Sequence, residues 1–352
     1  MMRRWTIYGA TGFTGRLLAR EAVRQGFEPV LAGRDGARLR EVAVPLGLEP
    51  RAVGLDDPCR LARALEDGEL VLNAAGPFTA TAGPLARACL DAGVHYLDLT
   101  GEIEVFEALH RLDGEARSRG VLLLPGAGFL IVPSDCLAAH LARRLPSARW
   151  LRLAVSGLPL PSRGSLLTMI GMISPGAYVR HRGELTLLPG CRLEHQVDFG
   201  GGPRTCLVVS WADAYTAYIT TGIPSIEVCL EVDPWQKLFF LNSRSFAWLL
   251  QRPAWQEVLK AQAALLPEGP SEAERSRLRR VIMGVAGDDQ GCRVAARLRT
   301  PESHTLTVLA ALGCVSKVLA GELRSGFQTP AGLYGADFVL GLPGVEREDL
   351  EV

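Results

Sequence analysis

Three glycines, Gly9, Gly12 and Gly15, open the first helix-like segment of the sequence. They follow the strand-like run WTIY and lead into GRLLAREAVRQG. A turn at this place can present backbone N–H groups and a helix N-terminus to a pyrophosphate, an approach that side chains would obstruct. The spacing Gly-x-x-Gly-x-x-Gly departs from the dinucleotide fingerprint Gly-x-Gly-x-x-Gly. Taken alone, the glycines therefore also fit the start of an ordinary helix.

Arg34 ends the next strand-like run, PVLAGR, 19 residues after Gly15. A dinucleotide-binding unit carries its ribose-contacting residue near this position. An acidic residue there accepts a hydrogen bond from a 2'-hydroxyl, whereas arginine suits a 2'-phosphate, so Arg34 favours NADP over NAD. Asp35 follows directly and favours the opposite preference, and Arg34 could also do no more than end the strand.

A later strand-like run, LVLNAAGPF, ends in small residues and a proline, with Asn73, Ala75, Gly76 and Pro77 at its end. Small residues let the backbone approach a flat cofactor at the carboxyl edge of a sheet. The next run, HYLDLTGE, ends in polar side chains.

Asp98, Thr100 and Glu102 are these polar side chains. They could form a hydrogen-bond network near a nicotinamide, or cap the following helix-like run EVFEALHRL. Asp98 and Glu102 are candidate proton donors, together with Tyr215 and Tyr218, although core packing is the favoured role of the two tyrosines.

The elements that must position these residues alternate over about the first 130 residues. The strand-like runs are Trp5 to Tyr8, Pro29 to Ala32, Arg51 to Gly54, Leu70 to Ala74, Tyr96 to Leu99 and Val121 to Pro125. Amphipathic segments separate them, and such alternation with nearly continuous apolar strands is typical of a parallel sheet covered on both faces. We predict an α/β fold with a Rossmann-type, doubly wound parallel sheet over residues 1–130.

The pattern changes from about Pro133. Longer strand-like runs such as WLRLAVSG and SIEVCLEV appear, and GDDQG predicts the turn of a hairpin between Val281 and Arg299. Helices are predicted at Lys237 to Leu266 and His304 to Leu323. We predict a mixed, largely antiparallel sheet with attached helices over residues 131–303. A helical segment is predicted over residues 304–352.

Composition excludes several functional classes. The chain of 352 residues has 38 Lys+Arg and 38 Asp+Glu, which favours neither nucleic acid nor an anionic membrane as a partner. Its eight cysteines are scattered, without a CxxC pair or histidines at ligand spacing, so we expect reduced cysteines, no metal and a cytoplasmic location. No membrane span is expected, because the most apolar runs are short and interrupted.

Several segments together resemble the saccharopine dehydrogenase-like NADP-binding family, which includes saccharopine reductases and trans-acting enoyl reductases. The matching segments are YGATGFTGR, LAGR, NAAGPF, HYLDLTGE, GFLIVPSD, TTGIP and GFQTPAGLYGADFVL. They occur in order along nearly the whole chain. The resemblance implies NADP-dependent oxidoreductase activity, an inserted substrate domain that often dimerises, and C-terminal helices that return to the cofactor domain.

The resemblance also implies a role for each matching residue. The residues implied at the pyrophosphate are Gly9, Thr11, Gly12, Phe13, Thr14 and Gly15, with Arg34 at the 2'-phosphate. Those implied on the nicotinamide side are Asn73, Ala75, Gly76 and Pro77, with Thr100, Gly101 and Glu102 flanking the hydride site.

One segment departs from the family pattern. Related proteins commonly carry Gly-Phe-Asp-Ser-x-Pro-Ser-Asp, whereas GFLIVPSD has Leu130 and Ile131 in place of the polar pair. This difference puts transfer of amino-acid substrate chemistry through the loop in doubt. Ser134 and Asp135 remain, and the preceding Pro133 favours a capping role for them at a helix start.

The substrate stays open between two classes, a small molecule and an acyl chain. Carboxylates would require convergent arginines, for which Arg163, Arg180, Arg182 and Arg204 are candidates. The apolar runs GSLLTMIGMI and KLFFLNSRSFAWLL could instead line an acyl site, form a dimer interface or belong to the core, which is the favoured alternative. We expect an NADP-dependent oxidoreductase acting on a C=N or C=C bond, as a homodimer. The alternative function is a non-catalytic NADP-binding module that senses redox state.

Overall fold

The computed structural model describes residues 4–157, 163, 164, 167, 176–189, 193–265 and 268–351. Within these ranges the chain forms sixteen β-strands, which are β1 (Trp5–Tyr8), β2 (Val30–Gly33), β3 (Pro50–Ala52), β4 (Leu70–Asn73), β5 (His95–Asp98), β6 (Leu122–Leu124), β7 (Trp150–Val155), β8 (Gly176–His181), β9 (Glu184–Pro189), β10 (Glu194–Asp198), β11 (Pro203–Val208), β12 (Ser225–Glu231), β13 (Arg279–Gly287), β14 (Arg293–Pro301), β15 (Gly326–Phe327) and β16 (Glu346–Leu350). The same ranges contain fourteen α-helices, which are α1 (Phe13–Arg24), α2 (Gly36–Ala43), α3 (Pro58–Leu65), α4 (Phe78–Ala92), α5 (Ile103–His110), α6 (Asp113–Ser118), α7 (Val132–Arg144), α8 (Asp213–Thr221), α9 (Pro234–Ser245), α10 (Ala247–Leu250), α11 (Pro253–Ala264), α12 (Glu272–Arg277), α13 (Ser303–Leu319) and α14 (Pro330–Tyr334).

The chain divides into two compact units, and the first contains residues 1–130 and 304–333. Its sheet has the strand order β15-β6-β5-β4-β1-β2-β3 with parallel pairings. Strands β1, β2 and β4 are buried along their whole length, which explains why their sequences are apolar without alternation. The Rossmann-type parallel sheet predicted from the sequence is confirmed.

The strand order of this sheet reverses between β1 and β4. In open α/β sheets, ligands bind outside the carboxyl ends of the strands at such a point. Tyr8 pairs with Asn73 across β1 and β4, and Asn73 pairs with Asp98 across β4 and β5. The last residues of the three strands therefore lie side by side at one edge.

The second unit contains residues 131–303 and 334–352. Its sheet is mixed, with β7 and β12 parallel and the remaining pairs antiparallel. The predicted hairpin forms between β13 and β14, with Val281 paired to Arg299. The predicted mixed sheet is therefore confirmed.

The last residues of the chain differ from the expectation for 304–352. Helix α13 belongs to the first unit, whereas residues 334–352 belong to the second, where β16 extends the sheet by pairing with β14. Glu348 on β16 forms ion pairs with Arg297 and Arg299 on β14. Ion pairs thus accompany the pairing of this edge strand, in a segment for which helices were expected.

The segment predicted as helix from Lys237 to Leu266 forms three helices, α9, α10 and α11, and Pro253 begins the third. The core assignment of KLFFLNSRSFAWLL is wrong, because Phe239 and Trp248 are 63% and 62% exposed. The other apolar run, GSLLTMIGMI, lies mostly outside the described residues. Across the described part of the chain, no helix is both long and apolar enough to cross a membrane.

Candidate functional site

The turn after β1 begins at Gly9, which has a positive φ of +85°. Its N–H donates to the carbonyl of Ala32 at 2.9 Å, which ties the turn to β2. A Cβ on Gly9 would lie 2.7 Å from the backbone nitrogen of Ala75, in the loop after β4. A side chain would therefore disturb both the backbone conformation and the contact between the two loops.

Gly15 and Gly12 serve different purposes in the same turn. A Cβ on Gly15 would overlap the carbonyl oxygen of Gly9, so this glycine allows α1 to pack closely on the turn. A Cβ on Gly12 would contact only the oxygen of Gly9, at 3.4 Å. Gly12 is exposed and is the N-cap residue of α1, where it offers no side chain to the first amides of the helix. The first turn of α1 contains no acidic residue, so the partial positive charge of the helix N-terminus is not offset there.

The remaining residues of the turn lie beside this helix N-terminus. The carbonyl of Thr11 accepts a hydrogen bond from Arg16 Nη1 at 2.6 Å. The Phe13 ring packs edge-on against the His304 ring, with 5.2 Å between centroids. Thr14 lies in the first turn and is partly exposed. All six predicted pyrophosphate residues thus lie either in the loop that follows β1 or in the first turn of α1.

Arg34 follows β2 and is exposed at the same edge. The neighbouring Asp35 caps α2, its Oδ1 accepting from the N–H groups of Ala37 and Arg38, both at 3.1 Å. Within the described structure, the Arg34 guanidinium has no ion pair, and this leaves its charge available to an anion.

Tyr8, at the end of β1, lies near Arg34 and was not identified from the sequence. Its hydroxyl donates to the carbonyl of Val53 at 3.1 Å. Burial raises the pKa of Tyr8, the positive charge of Arg34 opposes this rise, and the negative charge of Asp56 adds to it. The carboxyl ends of β1, β2 and β3 therefore bring a phenol, a guanidinium and a carboxylate together, a grouping that only the strand order could indicate.

Asn73 organises the loop after β4. Its Oδ1 accepts from the N–H of Ala75 at 2.9 Å, and its Nδ2 donates to Tyr96 Oη and Thr81 Oγ1, each at 3.1 Å. Gly76 and Pro77 follow as exposed residues at the start of α4. The buried Asn73 side chain thus fixes one end of the small-residue loop, and Gly76 and Pro77 at its other end are exposed to solvent.

Asp98 is fully buried at the end of β5. Its Oδ1 accepts from the N–H groups of Thr100 and Gly126, both at 2.9 Å, and its Oδ2 accepts from the Tyr96 hydroxyl at 2.9 Å. Burial raises the pKa of Asp98 to about 6, against the opposing effect of these hydrogen bonds. Asp98 therefore joins the loops after β5 and β6, and Thr100 continues the network by accepting from the N–H of Glu102 at 3.1 Å.

Glu102 precedes α5 as its N-cap residue, but its side chain makes no capping bond to that helix. The carboxylate instead accepts from the N–H groups of Phe78 at 3.1 Å and Thr79 at 2.8 Å, at the N-terminus of α4. Burial raises the pKa of Glu102, and these two hydrogen bonds oppose the rise. A Cβ on the neighbouring Gly101 would lie 2.6 Å from Leu130 Cδ1, so a side chain there would require Leu130 to move.

The second unit contains a polar cluster that sequence reasoning identified only in part. Ser134 and Asp135 lie in the first turn of α7, whose N-cap is Ile131, so their favoured capping role is wrong. Ser134 Oγ donates to the carbonyl of Ile131 at 3.0 Å and to Asp213 Oδ1, while Asp135 accepts from Thr220 Oγ1 at 2.7 Å. The acidic residue within the aromatic run WADAYTAY was the available sequence signal for Asp213.

Arg180, one of the candidate arginines of this unit, packs against the two candidate tyrosines. The Arg180 guanidinium lies over the rings of Tyr218 and Tyr215, at 4.4 and 5.5 Å from their centroids. Arg163 pairs with Glu268 at 3.2 Å. These contacts give the tyrosines a packing role and do not gather the candidate arginines into one anion site.

A cavity of about 600 Å³ lies at the opposite edge of the first sheet. Its lining includes Trp5 and Val30, which begin β1 and β2, together with Phe27 and Leu319. It is therefore separate from the carboxyl edge that carries Gly12 and Arg34. Among the described residues, no group of three or more His, Cys, Asp or Glu side chains is arranged to hold a metal ion.

The part of the chain that forms this edge is similar to a known family of domains. Residues 5–124, from the start of β1 to the end of β6, match the family described as the saccharopine dehydrogenase NADP binding domain. The match confirms, over residues 5–124, the predicted resemblance to a saccharopine dehydrogenase-like NADP-binding domain.

Two named relatives each match less than half of the chain. A trans-acting enoyl reductase of Mycobacterium bovis is 34% identical over 151 residues, covering 39% of this chain and 35% of that protein. An Arabidopsis thaliana protein, named a probable mitochondrial saccharopine dehydrogenase-like oxidoreductase, is 34% identical over 146 residues, covering 37% of this chain and 32% of that protein. The chain spans about a third of the length of these curated relatives.

One solved structure resembles the fold of the whole chain. Apo saccharopine dehydrogenase (L-Glu forming) from Saccharomyces cerevisiae has a TM-score of 0.69 over 99% of this chain and 100% of that chain, with 13% sequence identity. At that identity the likeness concerns the fold alone.

Proposed function

We propose that this protein is an NADP-dependent oxidoreductase that reduces or oxidises a C=N or C=C bond of a small-molecule or acyl substrate. The observation that carries the proposal is the turn at Gly12, where a helix N-terminus without a side-chain cap opens at the point where the strand order reverses. The family match over residues 5–124 and the names of the two relatives support it.

In this proposal the amides from Gly9 to Gly15 bind the pyrophosphate and the exposed Arg34 binds the 2'-phosphate. The residues fit such a group, because a Cβ at Gly12 would meet little of the protein and would fill the space outside the turn. Bound NADP would supply hydride-transfer chemistry. The loop from Asn73 to Pro77 would line the nicotinamide side, and its buried amide network would fix the distance of approach.

Thr100, Gly101 and Glu102, with Asp98 beneath them, are proposed to flank the hydride site. Asp98 and Glu102 accept hydrogen bonds from backbone amides at the ends of three loops. We therefore propose that these acids hold the loops in place, and that the reaction takes its proton from another group.

A second candidate function is a non-catalytic NADP-binding module that senses redox state. The engagement of the Asp98 and Glu102 oxygens by backbone N–H groups and the Tyr96 hydroxyl favours it, because a carboxylate committed in this way is a poor proton donor.

Fluorescence titration with NADPH tests the part that both candidates share. Binding that the Gly12→Val substitution abolishes supports the site, and no binding by the folded parent protein rejects both functions. Transfer of deuterium from C4-labelled NADPH to imines, enones or acyl thioesters separates them, since only the enzyme transfers the label. The expected homodimer remains a prediction that light scattering can test.

A further inference from the structure

Exposed large apolar side chains in the described chain are concentrated on α9, α10 and α11, on Phe246 between the first two of these helices, and on the residue that follows α11. They are Trp235, Leu238, Phe239, Phe246, Trp248, Trp255, Val258 and Leu265. We call this set the aromatic surface. Trp235 is 80% exposed, whereas exposed apolar residues elsewhere, such as Val44 and Leu340, occur singly. Three of the exposed side chains are tryptophans. Large exposed apolar patches on proteins mark binding sites.

The aromatic surface has a regular helical spacing. On α9, Trp235, Leu238 and Phe239 are at positions i, i+3 and i+4, which lie on one face of a helix. Trp255 and Val258 on α11 are likewise three residues apart. This is the spacing with which a helix normally covers a core, yet here the stripe faces solvent.

The charge of the segment that carries the aromatic surface indicates which kind of partner could bind there. Residues 234–265 contain four basic residues and one acidic residue, Glu257, in a chain whose total charges balance at 38 each. The Arg252 guanidinium lies 5.4 Å from the centroid of the Trp248 ring, so a cation and an indole are presented together. Lys237 at the other end of the surface pairs with Glu194.

A second copy of the chain fits this surface poorly. A two-fold dimer through this segment would bring the positive net charge of residues 234–265 to both sides of its interface, opposing like charges. The surface of an anionic bilayer accepts apolar rings and attracts basic side chains at once, and tryptophan is enriched at that depth. Helices α9 and α11 have 12 residues each, or about 18 Å, which is well short of a hydrocarbon core of about 30 Å.

We propose that α9, α10 and α11 bind the surface of anionic lipid membranes, lying in its plane with the aromatic surface inserted between the headgroups. This inference is independent of the proposed redox function. It concerns the second unit alone and uses none of the residues assigned to NADP.

Vesicle flotation tests the proposal with the full chain and two lipid compositions, phosphatidylcholine alone and phosphatidylcholine with phosphatidylglycerol. We expect binding to the second and little to the first, with a blue shift of tryptophan emission and weakening by salt. The triple substitution Trp235→Gln, Phe239→Gln, Trp248→Gln should lower the partition coefficient at least about tenfold. The matched control, Val44→Gln with Leu340→Gln, should bind like the parent.

Arg252→Gln removes the positive charge beside Trp248 and tests whether that charge contributes to vesicle binding. Arg277→Gln on α12 is its control. Absence of binding, equal binding to both lipid compositions, or unaltered binding of the triple variant would each overturn the proposal. A lipid-free dimer that the triple variant converts to monomer in light scattering would assign the surface to a second copy instead. If the triple variant does not fold, the single substitutions at these exposed positions give the same comparison.

Discussion

The Glu102 carboxylate accepts a hydrogen bond from the backbone N–H of Thr79 at 2.8 Å, which joins the loop after β5 to the N-terminus of α4. The neighbouring N–H of Phe78 binds the other carboxylate oxygen at 3.1 Å. The acid suggested as a proton donor thus caps a helix that lies before it in the sequence. Both joined loops border the proposed nicotinamide position, so one side chain fixes two walls of that site.

Glu102→Gln should therefore lower stability as well as activity. The amide NH2 of glutamine would face a helix N–H, so one hydrogen bond is lost, at a cost of about 1 kcal/mol in the free energy of unfolding. Urea denaturation of this variant, beside Glu104→Gln on the exposed side of α5, measures the loss. Loss of turnover with unchanged stability would instead give Glu102 a direct role in catalysis.

Gly12→Val should abolish NADPH binding without unfolding the protein. A side chain at this position contacts only Gly9 O within the protein and would occupy the proposed phosphate position, so we expect affinity to fall at least about a hundredfold. Gly15→Ala is the comparison, because its Cβ would overlap the Gly9 carbonyl and should cost about 1–3 kcal/mol of stability. Thermal unfolding and NADPH titration of both variants check the contrast. A Gly12→Val protein that binds NADPH normally would remove the turn from the site.

Arg34→Gln should weaken NADPH binding by about ten- to a hundredfold and leave NADH binding nearly unchanged, because a charge-assisted bond to the 2'-phosphate is lost. Arg38→Gln, which removes another exposed arginine near the same strand end, is the control. Titration with both cofactors gives the ratio of dissociation constants. Equal losses for NADPH and NADH would contradict the role of Arg34 in phosphate recognition.

Much of the first unit could be predicted from the sequence because its strands are short apolar runs with abrupt ends. The predicted strand Trp5 to Tyr8 coincides with β1. In the second unit, the hairpin around GDDQG was recognisable from its turn residues. Strand β16 was not predictable, since its charged residues make sense only beside Arg297 and Arg299. The exposed stripe on α9 also misled, because periodicity shows that a helix has an apolar face and not what that face contacts.

The candidate site was predictable to the extent that residues at strand ends share one edge of a parallel sheet. Spacing brought Asn73, Asp98 and Glu102 to that edge, but it did not show which amides their side chains accept from. Tyr8 was missed because the sequence gives it the appearance of an ordinary strand residue. Only the structure shows that its hydroxyl binds the carbonyl of Val53, which directly follows β3. Asp213 depends on α7 and α8 packing together, which no local pattern encodes.

Asp213 should make the stability of the protein depend on pH. Burial raises the pKa of its carboxyl to about 7, the nearby charge of Asp135 adds to the rise, and the hydrogen bond from Ser134 opposes it. An aspartate in the unfolded chain has a pKa of about 3.9, so between these values the native state binds the additional proton and stability falls as pH rises. This contribution is fully present below about pH 4 and is lost as pH rises through about 7.

Asp213→Asn keeps an acceptor for Ser134 and cannot ionise, so it should be more stable than the parent at pH 8 and lose this pH dependence. Urea denaturation of both proteins at pH 5 and pH 8 measures the free energy of unfolding at each pH. If it changes equally with pH in both proteins, Asp213 is ionised throughout.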